Sequence, residues 1–569
     1  MAYFLKKSKN KKGIYLQMYD SFYDPIKDGT AHKSIRPIGY VHELIESGIE
    51  DPIAYYKQEI AELNKKRKQV IEEEKVKKIG ATTPEILLGY APFKAINDAL
   101  GVSTDLNYLQ LGCSYRFSIT ELLNNLMFAR LVQPCSKRAT FVEVIPKMQC
   151  TNNFSSSQLY DGIEFLGENY QRIIDIYNAS IDSCFKRNTD FSYFDCTNFY
   201  FEIDKEDTLR KKGPSKEKKT DPIVGLGLLL DAEQIPIAMK IFPGNESETP
   251  KLKEVLTDLK KKHNIVGKTV RVADKGLNCS DNIVSAILDG DGYIFSKSVK
   301  QLSEKELMWV LDQRDLKYGD ENKTYALKSC IDKFAYTIKD ENGKNKKVFI
   351  EEKRVVTFNK ALQSKQKREI QRQVDKARNL RLSGAKKSQY GDSSKYVNFN
   401  TIDDNGCINE QSIITSLNHD AINKAYSLAG YNMIVTSEAT LSDKEIYQSY
   451  HNLWRIEESF RAMKSQLDAR PVYLQKENSI KGHFLICYLD VLLLRILQIK
   501  VLSDKYSTEE IMNMARKFRV VQTSDRKYLN ISKSSELLEE LERITKAPFC
   551  DFYLTKTDLK KIENCKISF

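Results

Sequence analysis

FSYFDCTNFYFEI, residues 191–203, is where the chain turns from helical to β periodicity. Its aromatic and small residues predict a strand. Downstream, IVGLGLLLD (223–231) and IPIAMKIFPG (235–244) are apolar runs joined by Ala232-Glu233-Gln234, which predicts a hairpin. Thr249 before Pro250 predicts an N-cap and a first-turn proline for the helix PKLKEVLTDLKKKH (250–263). KTVRVADKG (268–276) is a short apolar strand ending at Asp274, and a helix of about Asp281 to Leu288 leads to the strand GYIFSKS (292–298). The order β-β-β-α-β-α-β predicts an α/β protein with a mixed sheet and helices on its faces.

Three acids stand out from this frame. Asp195 sits in a strand that is otherwise aromatic, and Asp274 ends a buried strand. Ligand sites in open α/β sheets lie at that end. Singly, each could be a capping or turn aspartate. The third acid lies in LSDKEIYQSYHNLWRIEESFRAMKSQL (441–467), which reads as one long helix opened by a Ser442/Glu445 capping box. Ile446, Tyr450, Leu453, Phe460, Met463 and Leu467 draw an apolar stripe at spacings of three and four, and Glu457 falls inside it, with Lys464 two turns on. A carboxylate on a buried stripe must be paired, protonated or holding a metal. The plainer alternative is that Glu457 and Glu458 form an ordinary charged pair at the stripe's edge. Three clustered acids repel one another, and divalent cations with oxygen ligands relieve that repulsion. Two Mg²⁺ ions about 3.5–4 Å apart, with Mn²⁺ as a substitute, would clamp an in-line phosphoryl transfer. The six histidines (His32, His42, His263, His419, His451 and His483) show no ligand spacing.

Composition agrees with work on a polyanion. The chain has 569 residues, room for two to four domains, and a net charge of +12. Positive residues cluster at Lys6–Lys12, at Arg210–Lys219 and from Lys360 to Arg381, the last in a predicted basic helix. Each block alone reads as a solvated face; three together suit nucleic acid. Eleven scattered cysteines without a C-x-x-C pair argue against zinc ribbons and a disulfide framework and fit a reducing cytoplasm. The longest apolar run, His483 to Lys500, contains Asp490 and Arg495 and is expected to be a buried helix, with no membrane span and no signal peptide.

The carboxylates with their flanks resemble the DDE transposases of bacterial insertion sequences, the four-type group. The matching pieces are FDCTNFYFE, GPSKEKKTDPIVGLGLLLD, FPGNESE, VADKGLNCSDN and YHNLWRIEESFRAMKSQLDARPVY, within Tyr193 to Leu497, with weaker likeness in FARLVQPCSKRAT. Tyr450, Glu457 and Lys464 match the group's Tyr-x2-Arg-x3-Glu-x6-Lys signature, but Leu453 stands in the arginine position. The resemblance implies a ribonuclease-H-like core, with Asp195, Asp274 and Glu457 as the catalytic, metal-holding acids. It implies that the flanking signature residues hold DNA phosphate: Tyr450, Lys464 and, in place of the lost arginine, Arg461. Lys216, in the GPSK segment, is a further candidate for DNA contact. The partners implied are double-stranded DNA, as terminal inverted repeats and target, and a second copy in a homodimer on paired ends. The expected setting is a bacterial cytoplasm, at the nucleoid.

The gap of 183 residues between Asp274 and Glu457 is too long for a simple core, and the resemblance implies a mainly β insertion there. FAYTIKDENGKNKKVFIEEKRVVTF (334–358) reads as a hairpin turning at Asn342-Gly343. The expected organisation is an N-terminal β region and connector helix (1–80), a helical, DNA-binding domain (81–189), a first core part (190–300), the insertion (301–429), a second core part with the Glu-bearing helix (430–500) and a helical C-terminal region (501–569). The expected activity is cut-and-paste strand cleavage and transfer, with hairpin formation as one route. The rivals are a ribonuclease-H-like nuclease without strand transfer and a catalytically silent DNA-binding derivative.

Overall fold

Apolar residues on alternate positions of one sheet, and on one side of each covering helix, build the core of this protein. The computed structural model describes residues 2–24, 29–75, 84–217, 219–262, 264–339, 343–383, 387–400, 414–524 and 527–569. The turn signals at Pro25 and Asp28, the connector's end at 76–78, and Lys218, His263 and Asn342 lie outside these residues. The chain divides into two compact units, Met1–Thr83 and Pro84–Phe569. In the first, β1 (Tyr3–Asn10), β2 (Gly13–Asp24) and β3 (Gly29–Tyr40) form an antiparallel sheet. The helix Pro52–Lys75 is tied to it by Arg67, whose Nη1 lies 2.8 Å from Asp20.

The second unit opens with β4 (Glu85–Leu87) and a series of helices down to Cys184. Then come β5 (Phe191–Tyr200), β6 (Ile223–Leu230), β7 (Pro236–Pro243), β8 (Val270–Ala273) and β9 (Gly292–Lys297). β10 (Lys317–Tyr318), β11 (Tyr325–Lys339) and β12 (Asn345–Asn359) follow, then β13 (Val397–Asn400), β14 (Ile414–Leu417) and β15 (Tyr431–Thr436). One nine-stranded sheet has the order β10-β11-β12-β15-β9-β8-β5-β6-β7. Within it β5, β6 and β7 are antiparallel, and β5, β8 and β9 run parallel. This is the ribonuclease-H-like mixed sheet. Every residue of β6 is buried, as a central strand between two covered faces requires. The hairpin β11–β12 of the 301–429 segment extends the same sheet through β12–β15 pairing. The basic helix Lys360–Leu382 and the small β13–β14 sheet lie beyond it in sequence. A second, four-stranded sheet joins β4 to the C-terminal β16 (Arg519–Ser524), β17 (Lys527–Asn530) and β18 (Tyr553–Thr555).

Side-chain alternation assigns the two faces of the sheet. Phe194 and Cys196 of β5 join the cluster packed on the helices Thr249–Lys261 and Ser280–Leu288. Tyr193 and Phe199 join the larger cluster, built on the helices that flank the sheet in sequence. The centre of that cluster is the helix Glu477–Ile496, buried from Ser479 onward apart from Lys481 and including Asp490 and Arg495. This central helix packs on the helix Ser156–Glu168 at near backbone contact: a Cβ on Gly167 would lie 1.6 Å from the Asn478 carbonyl oxygen, and one on Gly482 2.2 Å from that of Ile163. Gly167→Ala should therefore push the helices apart and cost about 2–3 kcal/mol or more, read as a lower thermal midpoint. No helix of the described residues is long and apolar enough to cross a membrane.

Two local expectations change. Glu248, not Thr249, is the N-cap of the helix Thr249–Lys261, and it makes no side-chain cap, so the chain relies on Pro250 in the first turn. The stretch 441–467 is not one regular helix. It is a helix Asp443–His451 opened by the expected Ser442/Glu445 capping box, a tight turn, a helix Trp454–Arg461 and a π-helical turn Ala462–Gln466. At the tight turn Leu453, Arg455 and Ile456 bond back three residues rather than four. The π turn returns through Leu467 N–H to the Ala462 carbonyl at 2.8 Å.

Candidate active site

Asp195 is part of β5 and lies on the same face as Tyr193 and Phe199. Asp274 directly follows β8, whose Ala273 pairs with Phe194 of β5 in parallel register. Asp195, midway along β5, and Asp274, just past the carboxyl end of the parallel neighbour β8, thus come side by side. Both are half-buried. Their closeness has an electrostatic signature. Burial pushes the Asp195 carboxyl up to about 6, and the charges of Glu248 and Asp274 push the same way, against Lys216 and the Cys196 N–H. That N–H donates to Asp195 Oδ1 at 2.8 Å.

The 443–466 helical stretch covers this face. Tyr450 donates its hydroxyl to Asp274 Oδ1 at 2.9 Å, and burial, then the Asp274 charge, hold that hydroxyl well above its ordinary value, so it stays a donor. Glu457 lies on the following helix, and its charge is felt at the Tyr450 hydroxyl. It is exposed, contrary to the stripe reading. After Leu453 the buried line continues through Ile456 and Phe460, three and then four residues on, and leaves Glu457 on the solvent flank. Its neighbour Glu458 turns inward instead. Glu458 Oε2 lies 2.9 Å from Nη1 of the fully buried Arg495, its Oε1 accepts from Thr508 at 3.0 Å, and Arg455 stands at 3.2 Å.

Lys216 reaches into the same cluster. Its ammonium lies 4.0 Å from Asp195 Oδ1 and 3.4 Å from Glu248 Oε1 and donates to the Cys196 carbonyl. Glu248 was not singled out from the sequence, although FPGNESE contains it; its place follows from the β7-to-helix connection, which no local pattern marks. Lys464 is half-buried, 5.2 Å over the Phe199 ring and 3.4 Å from Glu217. Burial, with Arg470 and Lys216 nearby, lowers its ammonium below the ordinary lysine value. Glu217 also binds Arg470, a second residue that sequence reading passed over. Arg461 is exposed and makes no hydrogen bond or ion pair with the described residues.

The donor set suits a hard divalent cation. Two carboxylates share one sheet face, one of them destabilised in its charged form, with a single lysine as local counter-charge. Among the described residues no three His, Cys, Asp or Glu side chains converge as a finished cage.

A family model for the transposase DDE domain matches residues 201–493, just over half of the chain. The chain belongs to that family. The matched span includes Lys216, Asp274, Tyr450, Glu457 and Lys464 and begins six residues after Asp195. The protein is thus a DNA-cleaving and DNA-transferring enzyme, and divalent metal ions are the cofactor class of its family. No curated protein matches the chain. Among solved structures, a piggyBac transposase synaptic complex with hairpin DNA is similar at 9% identity and a TM-score of 0.36, over 76% of this chain and 80% of that one. A likeness that weak transfers no residue role.

Proposed function

We propose that this transposase cuts the ends of its own insertion sequence and joins them to target DNA by a cut-and-paste route. The observation that carries the reading is the Asp195–Asp274 pair, side by side at adjacent parallel strands, with Asp274 bonded to Tyr450 on the helix that precedes the one bearing Glu457. Asp195, Asp274 and Glu457 would hold two Mg²⁺ ions, with Mn²⁺ as substitute. Glu457, free at the surface, would swing in to complete the set. Bound there, the ions supply Lewis acidity for the attacking hydroxyl and stabilise the leaving oxygen.

The chain's own residues perform the rest. Tyr450 fixes the Asp274 carboxylate by its hydrogen bond. Lys216 and Lys464 hold phosphate of the scissile strand, and Arg461, exposed one turn beyond Glu457, contacts the same strand from outside. Water first attacks a phosphorus atom at the element's end: a P–O bond forms, the bond to the 3′ oxygen breaks, and a 3′-hydroxyl is freed. That hydroxyl then attacks a second phosphodiester, in the opposite strand to make a hairpin or in target DNA: its oxygen bonds to phosphorus, the bond to the 3′ oxygen of the attacked strand breaks, and that strand's 3′-hydroxyl leaves with the proton. Terminal inverted repeats are the DNA partner, and two copies would meet on paired ends. The scattered cysteines suit a reducing cytoplasm, where nucleoid DNA is at hand.

The test is an assay with a labelled duplex from the ends of the element and Mg²⁺. Covalent joining of a 3′ end to a second duplex is expected. Hydrolysis alone would leave a nuclease, and neither reaction, with binding retained, a silent DNA binder. Lys464→Ala should lower cleavage about 10²-fold, and Arg461→Ala about 3- to 10-fold, as expected for an embedded and an exposed phosphate contact. If Arg461→Ala left cleavage untouched, the exposed arginine would have no share in holding the strand.

A further inference from the structure

A cavity of about 630 Å³ lies beyond the end of the 443–466 helical stretch, between residues 130–138 and residues 468–474. The first wall is the FARLVQPCSKRAT segment, which the active site leaves unused. Arg130, Lys137, Arg138 and Arg470 line the cavity, against one carboxylate, Asp468. Tyr160 and Tyr473 stand at its rim, both exposed.

Lys137 is the telling residue. Only 7% of it is exposed, yet its side chain makes no hydrogen bond or ion pair with the described residues. A buried ammonium without a partner is costly unless a ligand supplies the anion. Burial, followed by the Arg130 guanidinium, lowers it to about 7, while the buried Asp490 carboxylate acts in the opposite direction without bonding to it. Arg130 itself is committed to structure: it donates to the carbonyls of Leu467, Asp468 and Cys135. Arg138 is exposed at the mouth.

The cavity also connects to the catalytic cluster. Arg470 shares Glu217 with Lys464, and its guanidinium lies 5.0 Å over the Tyr200 ring, beside the Phe199 on which Lys464 rests. Lys216 and Arg470 both act on the Lys464 ammonium, and Arg470 shares the cavity with Lys137.

We propose that this cavity binds a backbone phosphate of the DNA strand that leaves the active site, with Lys137 as the buried cation and Arg138 and Arg470 at the mouth. The inference rests on the transposase reading for its ligand. A free inorganic phosphate has the same chemistry, and the test separates the two.

Wild-type protein, Lys137→Gln and Arg138→Ala are compared for binding of a fluorescent duplex across a salt series, and for melting with inorganic phosphate. Lys137→Gln and Arg138→Ala should each weaken DNA about 3- to 10-fold and reduce the slope of log K against log salt by about one. Phosphate should raise the melting point of wild type but not of Lys137→Gln, and should compete with DNA. The proposal is overturned if both cavity variants keep the wild-type affinity and slope. It is also overturned if phosphate protects through Lys137 but never competes with DNA, because the site then serves a free anion. Should Lys137→Gln not fold, Arg138→Ala with Tyr473→Ala carries the same test. These readouts do not need turnover. A wild type that binds DNA through Lys137 but cuts nothing would overturn the transposition route and leave this site standing.

Discussion

Asp195→Asn and Asp274→Asn should each lower strand cleavage by about 10³-fold or more, about 4 kcal/mol of barrier, in a duplex-cutting assay with Mg²⁺. The two carboxylates are the hard oxygen donors at the meeting point of β5 and β8, and an amide cannot replace the charge that holds a divalent ion. DNA binding should survive, because the phosphate contacts belong to other residues. The same substitution should act in the opposite direction on the fold. Burial and two neighbouring acids raise the Asp195 carboxyl from 3.8 to about 6, so without an ion its charge opposes folding. Asp195→Asn should stabilise the ion-free protein at neutral pH by on the order of 1–2 kcal/mol. The pH window follows from the sign. A carboxyl whose native value is raised contributes stability in full below the unfolded value, and that contribution is lost as pH rises through the native one. The wild-type melting point, measured relative to Asp195→Asn, should therefore fall between pH 3.8 and about 6 and then level off. An unchanged difference across that window would mean that the aspartate is not destabilised in the ion-free site.

The neighbouring glutamates of the carboxylate helix should separate cleanly. Glu458→Ala should destabilise the protein by about 3 kcal/mol or more, because it strips the charge partner from Arg495, a guanidinium with no solvent exposure. Arg495 keeps bonds to Ser459, Gln498 and the Arg455 carbonyl, but none supplies a negative charge. Glu457→Ala should leave the melting point within about 0.5 kcal/mol of wild type, since the side chain is exposed, yet remove cleavage as thoroughly as the aspartate substitutions. Melting curves and cleavage rates of both variants decide this. Equal loss of stability would put Glu457 in the structural network, and equal retention of cleavage would take it out of the site.

The sequence by itself determined the succession of strands and helices from Phe191 to Lys297, because strand and helix periodicities are local and the turn chemistry between them is strong. It also singled out Asp195 and Asp274, since an acid in an aromatic strand and an acid at the end of an apolar one are visible in a line of letters. The signature spacing of Tyr450, Glu457 and Lys464 carried the family. The tertiary structure alone decided which of two adjacent glutamates faces the core. Ideal helical spacing puts Glu457 on the apolar stripe and Glu458 about 100° away from it, and the three-residue turn at Leu453 shifts the phase so that Glu458 meets Arg495 while Glu457 meets solvent. Glu217, Glu248 and Arg470 became visible only in three dimensions, as did the unpaired Lys137 ammonium. Their partners stand tens to hundreds of residues away, and a charge reveals whether it is satisfied only when the chain has closed around it.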